Sequence, residues 1–139
     1  MPNWCLNEVR VYCPDKETRD AFVKYCEGTR KEHMELPNQE NINQAVHVTM
    51  EFNKILPRPE EEEENWYDWN ITNWGTKWEP DIVHFDREDD TTVYWEMYTA
   101  WAPPGGIYNK MMEDWGDKDV WISWFYREDG MQFAGWLPD

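Results

Sequence analysis

Residues 92–99, TVYWEMYT, alternate without a break, with Val93, Trp95 and Met97 on one side and Tyr94, Glu96 and Tyr98 on the other. A period of two makes this a β-strand. Because it carries large rings on both sides, a sheet containing it has two faces to account for. The same holds for residues 120–127, where Val120, Ile122, Trp124 and Tyr126 alternate with Trp121, Ser123 and Phe125. Shorter runs predict strands at residues 6–13, with Val9 and Val11 set against Glu8 and Arg10, at 46–53, with Val46, Val48, Met50 and Phe52, and at 82–86 and 131–137. Two stretches between them have helical spacing. Asp15 is a good N-cap for a helix with Ala21, Phe22, Tyr25 and Cys26 on one face and Gly28 as its stop, while Ile107, Tyr108, Met111, Met112 and Trp115 form a second that Gly116 closes. Strand, helix, strands, helix, strands is the order of an α+β sandwich of the split βαβ type. At 139 residues the chain has the size of one domain, taken as 1–139. Residues 29–45, polar around one proline, and 57–65, which open on Pro57 and Pro59, are expected to be loop or insert segments.

One segment stands apart from this plan. Five glutamates, Glu60, Glu61, Glu62, Glu63 and Glu64, run directly into NWYDWNITNWGTKW, with tryptophan at 66, 69, 74 and 78. Residues 62–74 have helical length, acids at the positive end of the helix dipole, Trp66, Trp69 and Trp74 on one arc, and Gly75 as a terminator. A sheet face bearing Tyr94, Tyr98, Trp121 and Phe125 could stack unpaired bases, but such platforms need Lys and Arg around them, and here the neighbours are mostly acidic. Large exposed apolar patches are uncommon on soluble monomers. The tryptophan helix is therefore expected to lie over that face as a lid, with its rings mainly structural.

Thirteen basic against twenty-nine acidic residues leave a net charge of −16, which repels phosphates, so direct duplex DNA binding is not expected. No apolar stretch approaches the roughly 20 residues of a membrane span. The start, MPNWCLNEVR, carries an early Glu8 and lacks the apolar core of a secretory signal, so a cytoplasmic protein is expected. Cys5, Cys13 and Cys26 include no C-x-x-C pair, and His33, His47 and His84 are scattered. No disulfide framework, metal, cluster or other cofactor is implied. Cys26 reads as small core filler. The acidity either keeps a very aromatic chain soluble or imitates nucleic acid toward a basic groove on a partner.

Four motifs carry a resemblance. MPNWC opens the chain, WGTKW occupies residues 74–78, YTAWAPP covers 98–104, and Y-x-x-x-G-x-x-F-x-G runs from Tyr126 to Gly135. Together they resemble the YubB ferredoxin-like domain family, small proteins of bacteriophages and plasmids. The likeness covers the first strand and nearly everything from Phe52 onward, but not residues 29–45. It implies a ferredoxin-like antiparallel sheet with two packing helices, here with an extra Trp-rich helix, and no iron–sulfur cluster. It brings no activity that can be assigned to individual residues.

The expected function is that of a non-enzymatic acidic binding protein of a mobile element, acting in the host cytoplasm on a host protein with a basic surface, as a counter-defence factor or nucleic-acid mimic. Candidate contacts are the five glutamates, Asp86, Glu88, Asp89 and Asp90, with Trp66, Trp69 and Lys77. Lys77 either packs its stem on tryptophan or is placed for a ligand. Two alternatives stay open. One is an enzyme using the amine of Pro2, exposed once Met1 is removed, or an acidic site; against it, a proline at position 2 is ordinary and Trp4 is expected to anchor the N-terminus in the core. The other is an aromatic stacking module for sugar or single-stranded nucleic acid.

Overall fold

Burial along the strands follows the sequence alternation, and it follows it on one face only. The computed structural model describes residues 3–34 and 42–138, with residues 31–34 and 42–44 described by backbone alone. Five strands, β1 (Trp4–Tyr12), β4 (Asp81–Asp86), β5 (Thr92–Ala100), β6 (Trp121–Glu128) and β7 (Phe133–Trp136), form a sheet in the order β4-β5-β1-β6-β7. Every neighbouring pair in it is antiparallel. The helices are α1 (Lys16–Cys26), the single turn α2 (Phe52–Ile55), α3 (Trp66–Asn73) and α4 (Gly105–Trp115). A separate two-stranded antiparallel sheet pairs β2 (Gly28–Met34) with β3 (Ile42–Val48). The fold class is α+β.

Cys5, Val9 and Val11 of β1, Val93, Trp95 and Met97 of β5, and Ile122, Trp124 and Tyr126 of β6 meet Phe22, Val23 and Cys26 of α1 and Ile107, Tyr108 and Met111 of α4 in one buried cluster. Aromatic edges lock the two helices together. Phe22 meets Trp95 at 6.0 Å and Trp115 at 5.2 Å between ring centroids, and the Tyr25 hydroxyl donates to Asp114 at 2.6 Å. Asp15 caps α1 by accepting from the Thr18 amide at 2.7 Å, a bond that contributes about 1 kcal/mol in typical helices. At the β6–β7 turn the buried carboxylate of Glu128 accepts from the amides of Gly130 and Met131 at 2.6 and 2.7 Å.

Several expectations are corrected. Residues 29–45 are not merely a loop, since most lie in the β2–β3 hairpin. Its two strands pair with each other outside the main sheet, and only Val46 and Val48 at the end of β3 carried the apolar alternation read from the sequence. The strand read through Met50 and Phe52 ends at Val48. Both side chains are buried, but the Glu79 carboxylate accepts from the amides of Phe52 and Asn53 at 2.6 and 3.0 Å and turns the chain into α2. Helix α1 ends at Cys26, and Gly28 opens β2 instead of terminating the helix.

The segment 62–74 is two elements rather than one helix. A 3-10 turn, Glu60–Asn65, carries the glutamates, and α3 begins only at Trp66. Nor is α3 a lid over the outer sheet face. It packs beside α4 on the helical side: the Gly106 amide donates to Trp74 O at 3.0 Å, and the Trp74 indole sits inside the core cluster. Gly75, at φ +90°, allows the sharp exit that places it there. Trp4, expected as a core anchor, starts β1 on the outer face and rests against Trp78 at 6.2 Å. Met1 and Pro2 lie outside the described residues, as does the proposed Pro2 amine.

Candidate functional site

With α3 on the inner side, the outer sheet face carries a broad aromatic surface. Register places Tyr94 and Tyr98 of β5, Tyr12 of β1, Trp121 and Phe125 of β6 and Trp136 of β7 on it. Trp121 is 71% exposed and Trp136 63%, the latter 5.0 Å from Phe125. Such rings normally sit inside, so this is the least core-like surface of the sheet.

At the centre of that face Glu8 of β1 stands directly opposite Glu96 of β5, with Phe125 on the other flank of Glu8. Like charges facing across an antiparallel pair are destabilising. Neither carboxylate has an ion pair among the described residues. Burial first, then the charges of Glu8 and Glu96, hold the Tyr94 phenol above its ordinary pKa. Asp81 and Asp86 extend the negative charge along the edge strand, opposite Tyr98 and Tyr94. Arg10 offsets part of it: its guanidinium lies 4.6 Å from the Tyr94 ring centroid and binds Glu88 at 2.6 Å.

The candidate contacts read from sequence fall into two groups. Asp86, Glu88, Asp89 and Asp90 lie at or beyond the end of β4, where Glu88 is engaged by Arg10 and Asp89 accepts from the Thr91 amide at 2.9 Å. Glu60, Glu61, Glu62, Glu63 and Glu64 lie on the 3-10 turn before α3, and Glu63 holds Arg58. The two groups lie on different elements, the end of β4 and the 3-10 turn before α3. Trp66 is exposed, while Trp69 is half-buried, edge-on to Trp74 at 5.9 Å. Lys77 lies over Trp78 at 4.5 Å and Tyr67 at 5.4 Å. Sequence reasoning passed over Glu8 and Glu96, which look like ordinary outward positions until the register sets them side by side.

A second feature is an open cavity of about 590 Å³ lined by residues of the hairpin, α2, α3 and the irregular segment carrying Trp78 and Glu79. Burial, opposed by the two backbone donors, pushes the Glu79 carboxyl up to about 7. The folded protein thus holds this proton in the window where the unfolded chain, with a value of 4.5, has released it. The stability this confers is fully present below pH 4.5 and is lost as pH rises through about 7, amounting to at most about 3 kcal/mol. Urea unfolding of the wild type and Glu79→Gln from pH 5 to 8 is expected to show the wild type's advantage shrinking with pH. A constant difference would show that Glu79 titrates alike in both states.

No group of three or more His, Cys, Asp or Glu side chains poised to hold a metal occurs among the described residues. Burial pushes the Cys5 and Cys13 thiols up to about 11, so neither is a thiolate at neutral pH. No described helix is long and apolar enough to cross a membrane. No protein-family model matches the chain, and no curated protein or solved structure is significantly similar to it.

Proposed function

We propose that the protein is an acidic binding protein whose outer sheet face receives a basic surface of a protein partner. The observation that carries this reading is the Glu8–Glu96 pair at the centre of an exposed aromatic face. The pair is unfavourable in the free protein, and a Lys or Arg placed between the two carboxylates would relieve it. Rings flanking a carboxylate also suit a cation, which gains from both the charge and the π-face. Aromatic residues are enriched at the centres of protein interfaces. Phosphate-bearing partners are disfavoured by the same carboxylates and by the overall charge of −16.

The fold reading that accompanies this is a ferredoxin-like split βαβ. Strands β4-β5-β1-β6 supply the core order, α1 and α4 act as the two crossovers, β7 extends one edge, and β2, β3, α2 and α3 are inserted between α1 and β4. The resemblance to the YubB family supports a phage or plasmid origin and hence a host protein as the partner.

The test is affinity capture from nuclease-treated bacterial lysate with the wild type, a Glu8→Gln/Glu96→Gln variant and Trp121→Ala. A protein retained by the wild type is expected to elute as salt rises. Both variants are expected to bind it at least tenfold more weakly, about 1.4 kcal/mol or more. Equal retention by the double variant would rule out this face as the docking site.

A further inference from the structure

The cavity beside α3 is walled by tryptophan and rimmed by polar groups of both signs. Trp66, Trp74 and Trp78 all line it, Trp74 from within the core and Trp66 from an exposed position. The polar groups converge from three directions: Thr29 and Arg30 from the hairpin, Glu51 and Asn53 around α2, and Glu79 from the segment after α3. The volume of about 590 Å³ lies within the usual range for small-molecule sites.

The pocket is held in shape by its own hydrogen bonds. Arg58 lines it, donating to Asn70 Oδ1 at 2.9 Å and to both Glu63 oxygens at 3.2 Å, while its guanidinium lies 5.8 Å from the Trp74 ring centroid. Asn70, almost fully buried, passes the constraint on by donating to Lys77 O at 2.8 Å, and the Arg58 amide donates to Asn53 Oδ1 at 2.7 Å. Other groups keep capacity. The Asn53 amide nitrogen has no hydrogen-bond partner among the described residues. Glu51 uses one oxygen, on the Thr29 amide, at 3.3 Å. Each Glu79 oxygen accepts one backbone N–H and can accept another donor.

The chemistry of an occupant follows from this inventory. An anion would meet the carboxylates of Glu51 and Glu79. A cation would meet Arg58 and Arg30. An uncharged molecule avoids both conflicts. It must offer donors to the carboxylates and acceptors to the Asn53 amide around its rim, and an apolar face to the indoles. Hydroxyl groups are donor and acceptor at once, and a pyranose ring combines them with C–H faces that pack on tryptophan. A nucleobase presents its polar atoms in one plane along its edges, which fits a rim converging from three elements less well.

We propose that this cavity is a binding site for an uncharged saccharide of one or two pyranose units, stacked on Trp66 and Trp78 and hydrogen-bonded by Glu51, Asn53 and Glu79. The site is separate from the outer sheet face and stands or falls independently of partner binding there.

The indole N–H resonances of the eleven tryptophans provide the readout in two-dimensional NMR, assigned by Trp66→Phe and Trp78→Phe. Glucose, N-acetylglucosamine and their β-1,4-linked disaccharides are titrated to about 10 mM, enough to reveal a 1 mM dissociation constant, with adenosine and uridine in parallel. The expected result is saturable movement of the Trp66 and Trp78 signals with at least one sugar, weakened at least tenfold by Glu51→Gln and unchanged by Trp121→Ala. Glu51→Gln retains the fold if its remaining indole signals stay in place, and Trp66→Ala at an exposed position provides the second variant. No movement with any sugar, or movement with the nucleosides alone, overturns the proposal.

Discussion

Replacing Gly106 by alanine is expected to destabilise the protein by more than about 3 kcal/mol, while Gly105→Ala leaves stability unchanged or slightly raised. A Cβ on Gly106 would lie 1.7 Å from Asn73 O, 2.7 Å from its carbonyl carbon and 3.1 Å from Trp74 Cα. All three are backbone atoms, so no rotamer change relieves the clash. The Gly106 amide also donates to Trp74 O, so α4 and the end of α3 cannot part without losing that bond. Moving Trp74 would disturb its edge contact with Phe52 at 5.8 Å and its indole bond to Leu56 O at 2.9 Å. A Cβ on Gly105 meets nothing within 4 Å. In denaturant unfolding, Gly106→Ala should lower the midpoint without changing the slope, and the melting temperature should fall by on the order of 10 °C. Equal stability of the two variants would mean that α3 does not approach α4 as described.

The second large effect is expected at Asn7, which is fully buried in the middle of β1. Its amide nitrogen donates to Thr99 Oγ1 at 2.9 Å and to Cys5 O at 3.1 Å, and its oxygen accepts from the Trp124 indole at 2.9 Å. Thr99 in turn donates to Ala102 O at 2.7 Å. One side chain thus ties β1 to β5, β6 and the turn leading into α4. Asn7→Ala would strand the indole N–H inside the core and leave a small cavity, a combined cost of about 4 kcal/mol. An unmade buried hydrogen bond costs more than an absent pair of partners. Asn7→Leu combined with Trp124→Phe should therefore be less damaging than the sum of the single changes, with a coupling of about 1–3 kcal/mol. Strict additivity in the double-mutant cycle would show that the indole bond is not made.

Asn7 illustrates what could be read ahead of the structure and what could not. Strand β1 was legible because Val9 and Val11 alternate with charge, and Asn7 falls on their face by the same period of two. That it would be satisfied there depended on Thr99 and Trp124, 92 and 117 residues away. Asp15, in contrast, was legible as a cap because its partner, Thr18, is three residues along. Of the β2–β3 hairpin only the end of β3, at Val46 and Val48, was legible, because the residues before it are mostly polar and show no period of two. Phe52 was misplaced in a strand because its burial pattern fits either state, and the deciding group, the Glu79 carboxylate, arrives from 27 residues downstream.

The candidate sites divide in the same way. The tryptophans of residues 65–78 stood out in the sequence, yet their roles differ with position: Trp74 is core, Trp69 is half-buried, and Trp66 and Trp78 line the cavity. Trp74 takes its core place where the end of α3 meets α4 at Gly106.

Local periodicity and capping were sufficient to define most strands, the two long helices and the α+β class, because those signals come from residues within a few positions of one another. The outer face is different. Glu8 and Glu96 become a repulsive pair, and seven scattered aromatic residues, Trp4, Tyr12, Tyr94, Tyr98, Trp121, Phe125 and Trp136, become one surface, only when strand order and register bring them together across long sequence separations. The packing of α3 on the opposite side then leaves that surface without a helical cover, since a helix tied through Trp74 into the inner core cannot also lie over the outer face.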